Sequence, residues 1–183
     1  GYEILIQLAQ KGDAEAQYII GQINGLDRYG IYNYEESFYW TKLSAEQNFP
    51  EAQFYLAILY SEGKGVKKDL SLSHKYFLES SNQNYPQSYP ELAYNFYYGE
   101  GVNKDINKAI KWWKKTINFP VPILEFSKFN TFNAYQGLYY IYMWEENFID
   151  YKQAYHFANL LLEERGEGTD YDRIAYMLQF GYG

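Results

Sequence analysis

The 183-residue sequence contains no cysteine and only two histidines. The absence of cysteine excludes disulfides, thiolate metal sites and thiol catalysis. No apolar run approaches the roughly 20 residues that a membrane-spanning helix needs, and the N-terminus has no basic region followed by a long apolar stretch. Hydrophobic residues make up 47% of the chain, so a single elongated domain can build a continuous core without metals or crosslinks.

Basic residues are outnumbered by acidic ones, 16 to 23, which gives a formal net charge of −7. This balance weighs against sequence-independent nucleic-acid binding, which needs many phosphate contacts from Lys and Arg. Lysines are concentrated between Lys64 and Lys115, and acidic residues between Glu145 and Asp172. Two such stretches could orient a polar partner. Long charged side chains are also ordinary on the exterior of helical repeats, so both interpretations stay open.

A segment repeated at a fixed spacing is the most informative feature present. The sequence GKGVKKD, from Gly63 to Asp69, returns 36 residues later as GEGVNKD, and the aromatic residues Trp40, Tyr76 and Trp112 keep the same spacing. A fixed period of this size is typical of stacked-repeat proteins, in which each unit buries its apolar face against its neighbours.

Each unit is predicted to contain two helices joined by a glycine turn. The first helix ends at a glycine that can take a positive φ, and the second begins after a side chain that accepts hydrogen bonds from free backbone N–H groups. In the fourth unit we align Gly137 with Ala93 and Asp150 with Asp105, and we place the extra residues in a longer connection that carries Pro120 and Pro122. The predicted turn and capping residues are Gly63, Gly65, Gly99, Gly101, Asn33, Asp69, Asp105 and Asp150.

The sequence therefore predicts an all-α solenoid of about four and a half helix pairs, forming a single repeat domain over residues 1–183. The units span approximately residues 9–44, 45–80, 81–117 and 118–165, with a partial fifth unit at 166–183. Because that last unit stops where the next glycine loop is due, we expect the chain to be a fragment of a longer protein.

The motif Gly-x-Gly-Val-x-x-Asp, followed by Lys108-Ala109 and Trp112-Trp113, resembles the Sel-one-like repeat. That repeat is a relative of the tetratricopeptide repeat, and loops 25–30 and 144–147 depart from its pattern. The resemblance implies a right-handed superhelix whose first helices line the concave side, and a role in scaffolding or adapting between other proteins. Members of the family occur in bacterial host-interaction and signalling proteins, in immunity proteins that neutralise toxic effectors, and in endoplasmic-reticulum degradation.

The concave face is the candidate partner-binding surface, and its residues follow from helical register. If Gly21, Ala57 and Ala93 pack against the second helix, positions one, four and five later and three earlier point towards the groove. Tyrosine, abundant in this set, suits protein recognition, although a chain with 23 tyrosines also uses them for packing. The predicted residues are Tyr18, Gln22, Phe54, Ile58, Ser61, Glu62, Tyr94, Tyr97 and Tyr98, with Leu138, Ile141 and Tyr142 from the fourth unit.

The leading functional hypothesis is a non-enzymatic scaffold or adaptor that binds a protein partner. A narrower alternative is an immunity or inhibitor protein that neutralises a toxic effector by direct binding, with the acidic stretch meeting a basic toxin surface. A hydrolase on the repeat scaffold is a distant third, because neither His74 nor His156 has an i, i+4 histidine partner or an evident nucleophile beside it.

The sequence predicts no catalytic residue, cofactor or metal, and no nucleic-acid partner. The compartment stays open at this level. No asparagine lies in an Asn-x-Ser/Thr sequon, which favours a bacterial cytoplasm or periplasm over a eukaryotic secretory lumen.

Overall fold

The computed structural model describes residues 1–26, 33–120 and 124–165, together with 179 and 181; side chains 124–129 and 165 are not among those described. The predicted partial fifth unit, 166–183, thus lies almost wholly outside the described residues. Within them the chain forms nine helices and no strand, which confirms the all-α prediction. The helices are α1 (Tyr2–Gln10), α2 (Ala14–Gly25), α3 (Tyr34–Glu46), α4 (Pro50–Glu62), α5 (Leu70–Asn82), α6 (Ser88–Tyr98), α7 (Ile106–Ile117), α8 (Leu124–Trp144) and α9 (Tyr151–Arg165).

The helices form two compact units, Gly1–Lys104 and Asp105–Gly183. In the first unit each helix from α1 to α5 packs against the next one along the chain. In the second unit α7 packs on α8, and α8 packs on α9. Packing between successive helices is the pattern expected of repeats that bury their apolar faces against neighbours.

The core of the first unit repeats with the sequence period. Each of the helices α2, α4 and α6 buries an aliphatic side chain followed by a very small residue, which brings the adjacent helix close. At Gly21, for example, an added β-carbon would collide with the Thr41 hydroxyl. The repeated buried positions are Ile20, Leu56 and Leu92, followed by Gly21, Ala57 and Ala93.

Buried serines tie the second helices α3 and α5 to the first helix of their own pair. Ser44 Oγ, near the end of α3, donates to the carbonyl oxygen of Ala14 at 2.6 Å. Ser80 Oγ, near the end of α5, donates to that of Pro50 at 2.8 Å. Each acceptor is the first residue of its helix, so a hydrogen bond of the same kind fixes both helix pairs.

A buried glutamine adds a second tie to each pair. Gln53 is only 2% exposed, and its Oε1 accepts from Gln83 Nε2 at 2.8 Å. Its own Nε2 donates to the Ala45 carbonyl at 3.4 Å, which connects α3, α4 and α5. Gln17 accepts from Gln47 in the same way, also at 2.8 Å.

The helix ends use glycine and short polar side chains. Gly63 and Gly99 end α4 and α6 in the left-handed conformation, with φ of 72° and 77°. The second helices begin at side chains that accept a hydrogen bond from the backbone N–H three residues later, at 2.9–3.1 Å. These capping residues are Asn33, Asp69, Asp105 and Asp150.

The second glycine of each Gly-x-Gly turn lies against the backbone of an earlier helix. Gly65 and Gly101 have φ of 67° and 69°. A β-carbon on Gly65 would collide with the carbonyl oxygen of Tyr34, the first residue of α3. On Gly101 it would collide with that of Leu70, the first residue of α5. The turn therefore packs one repeat onto the preceding one.

The turn between repeats cannot recur after α7. In the turn that joins a second helix to the next first helix, one residue has a left-handed backbone conformation. This residue is Gly12, Asn48 or Asn84, with φ of 96°, 62° and 61° respectively. The residue 36 positions after Asn84 is Pro120, whose ring holds φ near about −65°. Pro120 therefore does not continue this series of left-handed residues.

Replacing Gly65 or Gly101 by alanine should destabilise the protein by about 2 kcal/mol or more, because the left-handed φ and the collision with a carbonyl oxygen act together. Gly12→Ala is the matched control. Its φ is also positive, but nothing lies within 4 Å of the added carbon, so the loss should be about 1 kcal/mol. Urea unfolding monitored by circular dichroism measures both. Equal losses at the three positions would contradict the close approach.

Ser80→Ala should cost about 1 kcal/mol, since it removes the hydrogen bond to Pro50 and leaves that carbonyl without its serine donor. Ser71→Ala, at an exposed position of the same helix, controls for the higher helix propensity of alanine and should be nearly neutral. Thermal unfolding midpoints compare the two variants. If Ser71→Ala lowers the midpoint as much as Ser80→Ala does, the tie contributes nothing specific.

Candidate protein-binding face

One side of α4, which we call its free side, is not fully buried, although the Phe54 ring on it contacts the buried Phe77 with centroids 5.6 Å apart. Its residues follow the spacing i, i+3, i+4 and i+7, which places them on one face of a helix. All are half-buried or exposed, whereas Leu56, Ala57 and Tyr60 on the opposite side are buried. The free side consists of Glu51, Phe54, Tyr55, Ile58, Ser61 and Glu62.

Helices α2 and α6 present the corresponding positions, 36 residues before and after. Tyr18 and Gln22 lie on this side of α2, and Tyr94, Tyr97 and Tyr98 lie on this side of α6. All five are at least partly exposed, and Tyr98 is 64% exposed. We call these residues, with the free side of α4 and with Glu15 and Glu91 at matching positions, the first-helix face. The nine residues predicted from α2, α4 and α6 thus occupy equivalent register positions on the three helices, and none of them is fully buried.

Aromatic rings join neighbouring parts of the first-helix face by a repeated contact. The ring centroids of Tyr18 and Phe49 are 5.5 Å apart, and so are those of Phe54 and Tyr85, 36 residues further on. Tyr18 also meets Tyr55 of α4 edge-on at 6.5 Å. These contacts hold the rings in place while leaving part of each side chain exposed, as a preorganised binding surface requires.

The tyrosines of α6 form a small group of their own. The rings of Tyr94 and Tyr98 are nearly parallel, with centroids 6.3 Å apart, and Tyr97 meets Tyr98 edge-on at 4.8 Å. Lys104 Nζ lies 5.2 Å from the centroid of the Tyr97 ring. A ring of this face thus already accepts a cation from its own chain.

The half-buried tyrosine hydroxyls remain protonated at physiological pH. Burial, followed by the charge of Glu51 and the neighbouring Tyr55, raises the pKa of Tyr18 to about 12. Burial also raises the pKa of Tyr85, with smaller contributions from Tyr18 and Glu51. Gln22 Nε2 donates to the Tyr18 hydroxyl at 2.5 Å. The Tyr18 and Tyr85 hydroxyls are therefore neutral and can both donate and accept hydrogen bonds.

Two of the predicted residues are engaged locally. Ser61 Oγ donates to the Ile58 carbonyl within its own helix at 2.8 Å. Glu62 forms an ion pair with Lys64 at 2.7 Å. Both remain on the face, but their polar atoms already have partners in this chain.

In the second unit the predicted register of α8 is wrong. Leu138 and Ile141 are fully buried, at 0% exposure, so they belong to the core and are not on a binding surface. Tyr142 is half-buried, and its ring stacks on Phe157 with centroids 6.0 Å apart.

The cause of this error is the length of the loop before α9. In the first unit Asp69 N–H donates to the carbonyl of Tyr60, nine residues earlier, and the rings of Tyr60 and Tyr76 stack at 5.8 Å. In the second unit the corresponding bond runs from Asp150 to Tyr142, only eight residues earlier. Tyr142 thus takes the position of Tyr60. The loop before α9 is therefore one residue shorter than the loop before α5. The alignment of Gly137 with Ala93 had made it one residue longer, so the register of α8 differs from the predicted one by two residues.

With this correction the buried Tyr139 takes the position of Ala57 and Ala93. The residues of α8 that correspond to the first-helix face are then Gln136, Tyr140, Met143 and Trp144. Tyr140 is 42% exposed and Trp144 is 66% exposed. The sequence carried a signal for this register, because the stacked pair Tyr60 and Tyr76 recurs as aromatic residues 142 and 157.

Sequence reasoning also missed four residues of the first unit, namely Glu15, Glu51, Tyr55 and Glu91. The 36-residue spacing of Glu15 and Glu51 was available in the sequence. The half-buried setting of Glu51 and Glu91 was not, since burial depends on the neighbouring helices. Burial, and then the charge of Glu100, raises the pKa of Glu91.

The histidines lie on the second helices α5 and α9. The His74 ring meets Phe96 edge-on at 5.0 Å, and its Nδ1 is 3.3 Å from Asn95 Nδ2. His156 is exposed beside Phe157. Over the described part of the chain, no group of three or more His, Asp or Glu side chains could hold a metal ion. None of the described helices is long and apolar enough to cross a membrane.

Helix pairs with a 36-residue period, a left-handed glycine turn and an N-capping Asn or Asp define an all-α solenoid protein. The model of the Sel1 repeat matches residues 14–49, 50–85 and 88–118, which is more than half of the chain. The chain belongs to the Sel1 repeat family, as its glycine-loop motif predicts. Proteins of this family are generally scaffolds for protein–protein interaction.

Solved structures show the same fold. A Sel1 repeat protein from Oxalobacter formigenes superposes with a TM-score of 0.59 at 24% identity, covering 62% of this chain and 86% of that one. A protective antigen of uropathogenic Escherichia coli with the SLR fold superposes with a TM-score of 0.59 at 22% identity, covering 98% of this chain and 44% of the antigen. A Sel1 repeat protein from Klebsiella pneumoniae superposes with a TM-score of 0.50 at 14% identity, covering 100% of this chain and 99% of that one. No curated protein sequence matches this chain.

Glu91→Gln should raise stability at neutral pH. The folded-state pKa of Glu91 lies above its ordinary value of 4.5, so stability is lost as the pH rises from that value through the raised pKa. The gain from the substitution should therefore be full at pH 7 and vanish below about pH 4. Glu3→Gln, at an exposed position, should give no such gain. Thermal unfolding midpoints of both variants, measured between about pH 4 and pH 7, test this prediction. A stability gain in Glu91→Gln that is equal at the two ends of the range would contradict the raised pKa of Glu91.

Proposed function

We propose that this chain is a non-enzymatic scaffold or adaptor that holds a protein partner on the first-helix face of its first unit. The observation that carries the proposal is the set of partly exposed tyrosines on the first-helix face, with Tyr18 on α2, Tyr55 on α4, and Tyr94, Tyr97 and Tyr98 on α6. Tyrosine offers a large rigid surface with a polar tip and loses little conformational entropy on binding. Aromatic residues also dominate the energetics of protein interfaces.

The tyrosine rings of this face contact one another while remaining partly exposed, which supports a role in binding more than a role in packing alone. The Tyr94, Tyr97 and Tyr98 rings contact one another, yet Tyr98 remains mostly exposed. A buried core position would hide such a side chain, and an isolated surface position would leave it without ring neighbours. Exposed rings that are already positioned reduce the entropy cost of association.

The second unit carries its own candidate surface on α8. Tyr140 and Trp144 are exposed at positions that correspond to Tyr94 and Tyr98. Tryptophan and tyrosine are the side chains most enriched at binding hot spots. We include Tyr140, Met143 and Trp144 as binding residues of this unit, in place of Leu138 and Ile141.

An immunity or inhibitor protein is the narrower form of the same proposal. It is favoured by the exposed acids Glu146, Glu163 and Glu164 in the second unit, which would complement a basic effector surface. A one-to-one complex with a toxin encoded by the neighbouring gene, seen by size-exclusion chromatography and accompanied by loss of toxin activity, distinguishes this role from a general adaptor. A hydrolase is the weakest candidate, because the contacts of His74 with Phe96 and Asn95, and the exposed place of His156 beside Phe157, are those of structural or surface histidines.

Replacing Tyr94, Tyr97 and Tyr98 together by alanine should weaken partner binding by about a hundredfold or more, since several hot-spot rings are lost at once. The partner is first captured from the source organism with the wild-type chain and identified by mass spectrometry. It is then purified and titrated by isothermal calorimetry against both proteins.

The matched control replaces three exposed tyrosines that lie off the face, Tyr2, Tyr39 and Tyr151. Circular dichroism should show unchanged helicity for both variants. Full affinity in the Tyr94/Tyr97/Tyr98 variant, or an equal loss in the control, would remove the first-helix face as the binding surface.

A further inference from the structure

The charges of the first unit are sorted by helix. The first helices α2, α4 and α6 contain no Lys, Arg or His, and their charged residues are Glu15, Glu51, Glu62 and Glu91. The second helices α3 and α5 carry both signs. The first-helix face is thus both tyrosine-rich and of one charge.

On the second helices the charges compensate each other. Lys42 pairs with Glu46, and Lys75 pairs with Glu79, each at 3.7 Å and with i, i+4 spacing. On the first-helix face, only Glu62 has such a partner, the Lys64 of the following turn. None of the ion pairs among the described residues includes Glu51 or Glu91.

Glu51 lies between two aromatic contacts of the face. It begins the free side of α4, one turn before Phe54 and Tyr55, and these rings contact Tyr85 and Tyr18 respectively. The carboxylate is half-buried, and its charge acts on the hydroxyls of both Tyr18 and Tyr85. A carboxylate flanked by tyrosine rings offers an ion pair and cation–π contacts to the same incoming cation.

Glu91 has a related setting on α6, at the position that Tyr55 occupies on α4. It is half-buried, it precedes Tyr94 by one turn, and its charge acts on the Tyr94 hydroxyl. The nearby Glu100 repels it. Partial burial of a negative charge without a cation costs free energy, and a cation brought by a partner would remove that cost.

We propose that the first-helix face binds a basic segment of its protein partner, whose Lys or Arg side chains pair with Glu51 and Glu91 between the tyrosine rings. This inference rests on the proposed scaffold function and adds the chemical class of the segment that is bound. Arginine is favoured over lysine at these positions, because its planar guanidinium can pair with the carboxylate and stack on a ring at the same time.

The test uses a fluorescein-labelled peptide of alternating Arg and Ser, compared with peptides that carry Gln or Glu in place of Arg. Fluorescence polarisation at physiological ionic strength measures their affinities for the full chain. The decisive variant is Glu51→Gln with Glu91→Gln. The matched control is Glu3→Gln with Glu35→Gln, which removes the same net charge from exposed positions off the face.

We expect the arginine peptide to bind better than the other two. The Glu51/Glu91 variant should lose about tenfold in affinity, and the control should stay within about twofold. Equal losses in both variants would reduce the binding to general attraction by an acidic protein and overturn the proposal. Preference for the Gln or Glu peptide would overturn it as well. The two single variants, Glu51→Gln and Glu91→Gln, keep the test valid if the double variant folds poorly.

The natural partner separates this inference from the proposed function. If the Tyr94/Tyr97/Tyr98 variant loses the partner and the Glu51/Glu91 variant keeps it, the scaffold function stands and the basic segment is refuted. If the Tyr94/Tyr97/Tyr98 variant still binds the partner with full affinity, the first-helix face is refuted as the binding surface. Loss in both variants, with full binding in both controls, supports the two proposals together.

Discussion

The geometry of the first unit depends on hydrogen bonds from the end of each second helix to the start of the helix before it. Serine is short, so Ser80 can reach the carbonyl of Pro50 only when α4 and α5 lie close together and in one register. The hydrogen bond from Gln83 to the buried Gln53 fixes the same two helices at a second point. With α4 held in this way, Glu51, Phe54 and Tyr55 are left on the outside. The chemistry of the candidate face thus follows from polar ties in the core.

The sequence predicts helices best where landmarks stand on both sides of them. Helices α4 and α6 end at a Gly-x-Gly turn and are followed by Asp69 or Asp105, so their outward residues could be identified from register alone. Helix α8 lacks that turn, and Gly137 was a misleading landmark. Its small size serves another purpose, because a β-carbon there would collide with the indole of Trp113, a larger ring than the Phe77 found 36 residues earlier.

The electrostatic character of the face could not be predicted in the same way. In the sequence Glu51 and Glu91 look like ordinary solvated acids on helix surfaces. Their importance depends on partial burial, on ring neighbours such as Tyr18 and Tyr85 that come from other helices, and on the lack of a paired lysine. Residues far apart in the chain determine all three, whereas the i, i+4 pairs Lys42–Glu46 and Lys75–Glu79 could be identified directly.

The short range of the core ties has an evolutionary consequence. Each serine or glutamine bond that joins the two helices of one pair spans only 30 positions. Duplication or deletion of one 36-residue stretch of the gene would leave the ties of the remaining pairs intact. The number of acidic sites along the face, and with it the valency for a multiply charged partner, can therefore change by recombination without redesign of the core.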